Sequence, residues 1–470
     1  MIINFLIVLL IAYDNGSHIS YFPAGLAYVA SAIREEGHYV EIYQQDIYHY
    51  TEEHLVNYIV ENQFEAVGVG GCGGYYQYRK IKAIAQAIDT IENKPMFWMG
   101  GHLPSPEPEY FLRKFKADLI MIGESDETVK EVLRVYETTQ DWSTVKGIAY
   151  LDKNGEFHEN ERRALIKDID QIPFPAYDLF NMEHYVLYPK PNSDRTDRSA
   201  DILSGRGCPF KCNFCYRMDE GFRPRSSEKI IEEIEMLKQR YKITYVDFID
   251  ELLMSSTKRT REFCNMMIEK NVNIKWSCNG RLNYAAVDLD MLYLMKKAGC
   301  VFINYGIESM DNKALKRMNK HLTTDTIIKG IENTLEAGIS PGLNIIFGNL
   351  GENRKSIEND VEFLLKYDDH AQLRTIRPVT PYPGTALYKY AIEQGMIDGI
   401  EDFYENKHMN SDLLTCNFTD LSDDEYYEAI YWANNVLLDN YLKNTKEANK
   451  ECLRRLYKEK DINFRGFRYV

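Results

Sequence analysis

The sequence predicts an α/β protein built as a doubly wound, Rossmann-like N-terminal domain, a (β/α)6 partial barrel of the TIM type, and a small helical C-terminal region. Three observations predict this. Apolar runs of strand length alternate with helix-period stretches up to about residue 137. The same alternation resumes at 201 and continues to 379. Between them lies an aperiodic segment holding Pro173, Pro175, Pro189 and Pro191, which reads as a linker. The 470 residues, 44% hydrophobic and 27% charged, suffice for two sizeable cores and a third small one. The expected boundaries are 1–140 for the front domain, 141–199 for a hairpin and linker, 200–392 for the barrel and 393–470 for the helical region.

Residues 2–12 (IINFLIVLLIA) open the front domain. A signal peptide needs a basic n-region and a small-residue cleavage site, and neither is present. A membrane span needs roughly 20 apolar residues. A strand buried on both faces of a parallel sheet reads like this run. Further strands are expected at 39–43, 66–70, 95–100 and 118–122, with helices near 24–36, 52–61, 76–91, 107–115 and 125–137. In the first helix Leu26, Val29, Ala30 and Ile33 share one face at the helical period. Such a sheet binds its ligands outside the carboxyl ends of its strands.

Those ends are rich in glycine. Gly16, Ser17 and His18 open the first strand-to-helix turn. The run Gly68–Gly74, with Gly70, Gly71, Cys72 and Gly73 inside it, ends the third strand. Gly100, Gly101 and His102 end the fourth, and Gly123 and Glu124 end the fifth. Glycines let a backbone approach a large flat ligand closely. Plain turn chemistry explains any one of these loops equally well; four on one edge favour a binding edge.

Residues 147–158 (GIAYLDKNGEFH) read as a hairpin turned by Asn154-Gly155. The barrel strands are expected near 201–205, 244–249, 274–278, 301–306, 342–347 and 373–379. Helices fall between them, near 227–240, 257–270, 288–298, 324–337 and 355–366. Chemistry in such barrels sits at the carboxyl ends of the strands. From about 395 the chain turns helical and Tyr-rich, as in 423–442, where a tyrosine stripe is more often core than site.

The formal charge of −15 argues against a nucleic-acid partner. The nine cysteines are Cys72, Cys208, Cys212, Cys215, Cys264, Cys278, Cys300, Cys416 and Cys452. An odd number in a large chain argues against a secreted disulfide framework, and with no targeting signal the expected compartment is the cytosol. Three of them cluster in Gly205–Tyr216 (GRGCPFKCNFCY), with the spacing Cys-x₃-Cys-x₂-Cys, just after the first barrel strand. Thiolates are the ordinary ligands of iron–sulfur clusters. Three of them bind three irons of a cubane and leave the fourth open to chelation by an amino and a carboxylate group. A structural zinc site would want a second cysteine pair or nearby histidines, and none is here.

On these residues the region 200–390 resembles the radical S-adenosylmethionine (SAM) superfamily. The resemblance implies a [4Fe–4S] cluster on Cys208, Cys212 and Cys215, with Phe214 beside the adenine of SAM. It implies that Asp250 and Glu251, in Phe248-Ile249-Asp250-Glu251, hold the SAM ammonium, although the usual pair is Asp-Asp. Arg281 is placed like the arginine that meets the SAM carboxylate, where a guanidinium fork suits the chemistry. Gly306-Ile307-Glu308-Ser309 resembles the Gly-x-Glu-Ser element whose glutamate and serine contact the ribose or the methionine end. Residues 342–352, with Asn344, resemble the fifth-strand adenine motif, with Leu350 in place of a usual proline. Pro381–Thr385 matches the sixth-strand turn.

The front domain is similar to the cobalamin-binding domain of cobalamin-dependent radical SAM enzymes, and the linker Asp170-x-x-Pro173-x-Pro175-Ala176-Tyr177 is typical of that group. The Asp-x-His-x-x-Gly motif that supplies a lower cobalt ligand elsewhere is absent. The resemblance thus implies cobalamin bound without a protein histidine on cobalt. Methylthiotransferases, a sister group, carry a second cysteine triad and a basic tail, and both are missing here. The implied function is C-methyl transfer to an unreactive carbon of a small molecule through a 5′-deoxyadenosyl radical and methylcobalamin, with a flavodoxin- or ferredoxin-type reductant. A cyclase or rearrangement without methyl transfer, as in the anaerobic porphyrin-ring cyclase, is the alternative. A non-catalytic corrinoid carrier is a third reading, against which the intact cysteine triad speaks.

Overall fold

The computed structural model describes residues 6–16 and 21–466. They form two compact units, the first running to Asn279 and including Thr380–Cys416, the second comprising Gly280–Val379 and the chain from Asn417 on.

The first unit opens with β1 (Ile7–Ala12), α1 (Ala24–Glu35), β2 (Tyr39–Gln44), α2 (Gln45–Tyr48) and α3 (Glu52–Asn62). It continues with β3 (Ala66–Gly70), α4 (Tyr75–Asp89), β4 (Met96–Gly100), α5 (Pro108–Phe115), β5 (Leu119–Met121) and α6 (Asp126–Glu137). All but the short α2 are predicted elements, each within about two residues of its expected bounds where described. Residues 2–5 of the expected first strand lie outside the described residues. β1–β5 pair in parallel in the order β2-β1-β3-β4-β5. Val8 to Ala12 of β1 are all buried, because helices cover both faces of a parallel sheet.

The hairpin forms as β6 (Ile148–Leu151) and β7 (Phe157–Glu159), but it is no separate connector. β6 pairs antiparallel with β5, so the hairpin extends the front sheet to seven strands. The expected linker is likewise packed: Tyr177, Phe180 and Tyr185 are buried and close around the ring of Phe22, with Tyr177 stacked on it at 5.1 Å. Aromatic burial of this size holds a proline-rich segment in place without regular structure.

Gly68 sits in the middle of β3, across from Leu10 on β1 and Trp98 on β4. A Cβ there would fall on the Trp98 indole nitrogen and 2.9 Å from the Leu10 methyl. Gly68→Ala is therefore expected to destabilise the first unit by about 1–3 kcal/mol through overpacking, read as a lower denaturant midpoint.

After α7 (Met182–Tyr185), β8 (Ser199–Ile202) starts the second series. A short ribbon of β9 (Gly205–Cys208) and β10 (Gly221–Pro224) follows, then α8 (Ser227–Tyr241), β11 (Tyr245–Phe248), α9 (Thr257–Glu269) and β12 (Lys275–Gly280). β8, β11 and β12 pair in parallel. α15 (Ala386–Glu393) and α16 (Gly399–Asp402) also belong to this unit. Residues 393–416 pack on the front domain: Tyr404 stacks on Tyr78 of α4 at 4.2 Å, and Tyr78 donates its hydroxyl proton to Glu405 at 2.5 Å.

The second unit holds α10 (Leu282–Val287), α11 (Leu289–Lys297), β13 (Cys300–Glu308), α12 (Asn312–Arg317) and α13 (Thr324–Glu336). β14 (Ser340–Phe347), α14 (Arg354–Lys366) and β15 (Ile376–Pro378) follow, with β13, β14 and β15 paired in parallel. The six-strand succession read from the sequence is thus present, three strands in each unit. The final helix α17 (Asp423–Tyr457) runs 35 residues, beyond the expected 442. It starts on a capping box in which Ser422 accepts from the Glu425 N–H and the Glu425 carboxylate accepts from Ser422. Among the described residues no helix is long and apolar enough to cross a membrane.

Candidate active site

The cysteine loop hangs from the β9–β10 ribbon, in which Arg206 faces Arg223 and Cys208 faces Gly221. Two glycines make so tight a ribbon possible. A Cβ on Gly205 would lie 2.6 Å from the Phe222 ring, and one on Gly207, whose φ is +85°, would lie 2.5 Å from the Gly221 carbonyl oxygen. Inside the loop the Cys215 N–H donates to the Cys212 carbonyl at 3.3 Å, and the Leu387 N–H donates to the Asn213 carbonyl at 2.9 Å. Cys212 is buried, Cys208 and Phe214 are half-buried, and Cys215 is exposed.

All three thiols are free of disulfides. Among the described residues, Asp152, Glu156 and His158 of the hairpin are the one trio whose ligand atoms lie within 4.8 Å of one another. Three thiolates on one loop can each bind a different iron of a cubane.

The end of β8 is fixed by Asp250. Its Oδ1 accepts from the Ser204 N–H at 2.5 Å and its Oδ2 from the Ser204 hydroxyl at 2.9 Å, and burial pushes its pKa up. The sequence reading gave Asp250 to a bound ammonium. Here both carboxylate oxygens serve the strand end from which the cysteine ribbon departs. Its neighbour Glu251 is exposed.

The front sheet grips the same ribbon. Arg206 makes a two-pronged pair with Asp126, at 2.7 and 3.1 Å, and its guanidinium lies 4.8 Å from the centre of the Tyr28 ring. Arg223 pairs with both oxygens of Glu124, one at 3.0 Å. Glu124 was expected on the ligand-binding edge. Its carboxylate is instead engaged by arginine, a match that planar bidentate geometry favours. Sequence reading missed both arginines, though each stands within two residues of Cys208 or of the glycine facing it.

Further contacts bring the loop to the carboxyl edge of the front sheet. His102 meets Tyr216 edge-on at 5.7 Å, and burial lowers the His102 pKa. The Ser105 hydroxyl points at the Met218 sulfur at 3.8 Å. Along that edge Gly70 is exposed, with open space where a Cβ would be, so bare backbone is offered there. Gly71 and Gly101 serve packing: the Leu103 N–H donates to the Gly71 carbonyl at 2.9 Å, and a Cβ on Gly101 would lie 2.7 Å from that oxygen. Gly73 leaves room for Tyr382 of the Pro381–Thr385 turn, whose ring would be 3.2 Å from its Cβ. Cys72 is exposed, yet the protein around its thiol raises its pKa. Gly16, at φ +70°, donates its N–H to Asp14 at 2.8 Å. Ser17 and His18 lie outside the described residues. A surface cavity of about 670 Å³ lined by Glu107, Tyr110, Arg113, Phe157 and Glu401 touches none of the expected site residues.

The second unit holds the remaining expected residues. The end of β13 carries a bulge between Gly306 and Glu308. Glu308 takes a left-handed backbone, φ +70°, and its carboxylate pairs with Lys320 at 2.6 Å. Gly306 is obligatory beside this pair, since a Cβ would meet the Glu308 carboxylate and come within 2.8 Å of the Lys320 ammonium. Arg281 is buried and donates from Nη2 to the Lys320 carbonyl at 2.9 Å. The Ser309 hydroxyl donates to Glu352 at 2.8 Å, and Glu352 also accepts the N–H groups of Gly348 and Asn349 at 2.9 Å each. Burial raises the Glu352 pKa to about 7. Asn344 is exposed and its side-chain amide donates to Asn304 at 2.6 Å.

The model of the Radical SAM superfamily matches residues 202–364, and that of the B12 binding domain matches residues 18–133. The uncharacterized methyltransferase PH0819 of Pyrococcus horikoshii is 30% identical over 381 residues, covering 80% of this chain and 79% of that protein. The anaerobic magnesium-protoporphyrin IX monomethyl ester cyclase of Cereibacter sphaeroides is 26% identical over 409 residues, covering 84% of this chain and 64% of the cyclase. Among solved structures, the cobalamin-dependent SAM radical enzyme OxsB, with aqua-cobalamin and SAM bound, superposes with a TM-score of 0.72 over 97% of this chain and 73% of its own, at 15% identity.

Proposed function

We infer the activity from a single premise, that this chain belongs to the B12-binding radical SAM family. It is a radical SAM enzyme that works with a [4Fe–4S] cluster, SAM and cobalamin. Our reading is C-methyl transfer to an unactivated carbon of a small-molecule substrate. One observation carries it: the cysteine ribbon and the carboxyl edge of the B12-binding sheet are built into one unit, through Arg206–Asp126, Arg223–Glu124 and His102–Tyr216. A metal-bearing loop joined to a corrin-bearing edge suits a reaction that uses both cofactors on one substrate. The 30% identity to a methyltransferase-named protein supports the same reading.

In this proposal Cys208, Cys212 and Cys215 hold three irons and leave one for the amino and carboxylate groups of SAM. Asp250, which also accepts from Ser204, and Glu251 would meet the SAM ammonium. By the family resemblance Arg281 would hold the SAM carboxylate, Phe214 and Asn344 the adenine, and Gly306, Glu308 and Ser309 the ribose and methionine end. Gly16, Gly70, Gly71, Cys72, Gly73, Gly101, His102 and Glu124 would line the corrin edge. When bound, the cofactors supply one-electron cleavage of SAM and a transferable methyl group. The chain supplies orientation and a shielded site. The expected electron donor is an external flavodoxin or ferredoxin type, and the expected compartment is the cytosol.

An anaerobic assay of the reconstituted enzyme with cobalamin, SAM and reductant tests this. Deoxyadenosine and S-adenosylhomocysteine are expected to rise together as methylated product forms. Deoxyadenosine without S-adenosylhomocysteine would remove methyl transfer and favour a cyclase, the reading that the 26% identity to a porphyrin cyclase supports.

A further inference from the structure

Lys320 belongs to none of the motifs that point to SAM, yet it touches two of the residues that do. Its ammonium pairs with Glu308 Oε1 at 2.6 Å, and its carbonyl accepts from Arg281 Nη2 at 2.9 Å. Lys320 and Glu308 are both buried, with relative exposures of 7% and 8%. The backbone is shaped for the contact. Lys320 is flanked by Asn319 at φ +56° and His321 at φ +55°, and Glu308 itself sits at φ +70°. Positive φ is uncommon outside glycine, and three such residues around one ion pair persist only where surrounding structure enforces them. Gly306 completes the arrangement by leaving out the side chain that would collide with both partners.

A buried ion pair kept only for stability has no need of this backbone, and an apolar pair of like volume does as well or better. We propose that Lys320 is a positioning residue of the SAM site: its ammonium fixes the rotamer and charge of Glu308 while its carbonyl aims Arg281. The proposal rests on the assignment of Glu308 and Arg281 to SAM. The link also explains how two residues far apart in sequence, one near the end of β12 and one at the end of β13, keep a common reference point.

The test uses the full-length, cluster-loaded enzyme and measures the SAM dissociation constant by equilibrium dialysis, the KM for SAM and the cluster spectrum. Lys320→Met is expected to weaken SAM binding about tenfold or more and to raise KM more than it lowers kcat, with the cluster spectrum unchanged. Lys320→Arg, which keeps the charge, is expected to restore binding to within about threefold. If Lys320→Met does not fold, Lys320→Gln decides, with SAM binding expected to be at least about threefold weaker. A folded Lys320→Met or Lys320→Gln variant with wild-type SAM affinity overturns the proposal alone. Wild-type enzyme that carries its cluster but binds no SAM overturns the underlying assignment as well.

Discussion

Replacing Cys208, Cys212 or Cys215 singly by alanine is expected to reduce SAM cleavage by at least about three orders of magnitude, and pairs of replacements to cost little more than one, because ligands of one centre act as a unit. The expectation follows from where the thiols lie. Cys215 is exposed, Cys208 half-buried and Cys212 buried, all on one loop held by the β9–β10 ribbon. Cys264 supplies the contrast: it is fully buried in α9, where desolvation keeps its thiol protonated and unreactive. Cys264→Ala should leave the iron and sulfide content of the reconstituted protein unchanged, while each triad variant loses it. A triad variant with an intact cubane spectrum and undiminished cleavage would refute the assignment.

The second large effect is on stability. Arg225 Nη1 donates to Glu233 Oε2 at 2.5 Å and to the Leu203 carbonyl at 2.8 Å, and the Tyr177 hydroxyl donates to Glu233 Oε1 at 2.8 Å. Glu233 has no exposed surface. Arg225→Met leaves that carboxylate buried with tyrosine alone and is expected to cost about 3–5 kcal/mol, since removing one partner of a buried pair strands the other. Arg225→Met combined with Glu233→Gln should recover most of the loss, because a neutral amide still accepts from Tyr177. Denaturant unfolding of Arg225→Met, Glu233→Gln and the double variant reads this directly. Additive losses in the double variant would show that the pair is not the source of the stability. Because Leu203 lies just before the ribbon, Arg225→Met should also lower the yield of reconstituted cluster.

Much of the architecture was legible because it is local. Strand β1 announces itself by a run apolar on both faces, and the helices by a 3.6-residue period that their own burial enforces. What escaped was pairing at a distance. Nothing in GIAYLDKNGEFH tells that its first strand will lie against Leu119–Met121. Nor does composition tell that residues 393–416 will cover α4 through Tyr404. The cysteine triad was readable from spacing, since its ligands lie within eight residues on one loop. The acids at strand ends were not. Asp250 and Glu124 stand where ligand contacts are expected, but a carboxylate there serves a serine or an arginine equally well, and the partner is chosen by chains that meet only in three dimensions. Lys320 was invisible for the same reason, its role being set by a bulge on another strand.

The pairing of Arg206 and Arg223 with Asp126 and Glu124 also sets where the gene can be cut. A front domain expressed alone, or transplanted onto the barrel of a relative, would present two largely buried acids to a surface that no longer brings their cations. Chimaeras among such enzymes should therefore exchange the strand-end loop and the cysteine ribbon as one cassette, with the crossover placed after Pro224 rather than in the proline-rich stretch that looks like the natural seam.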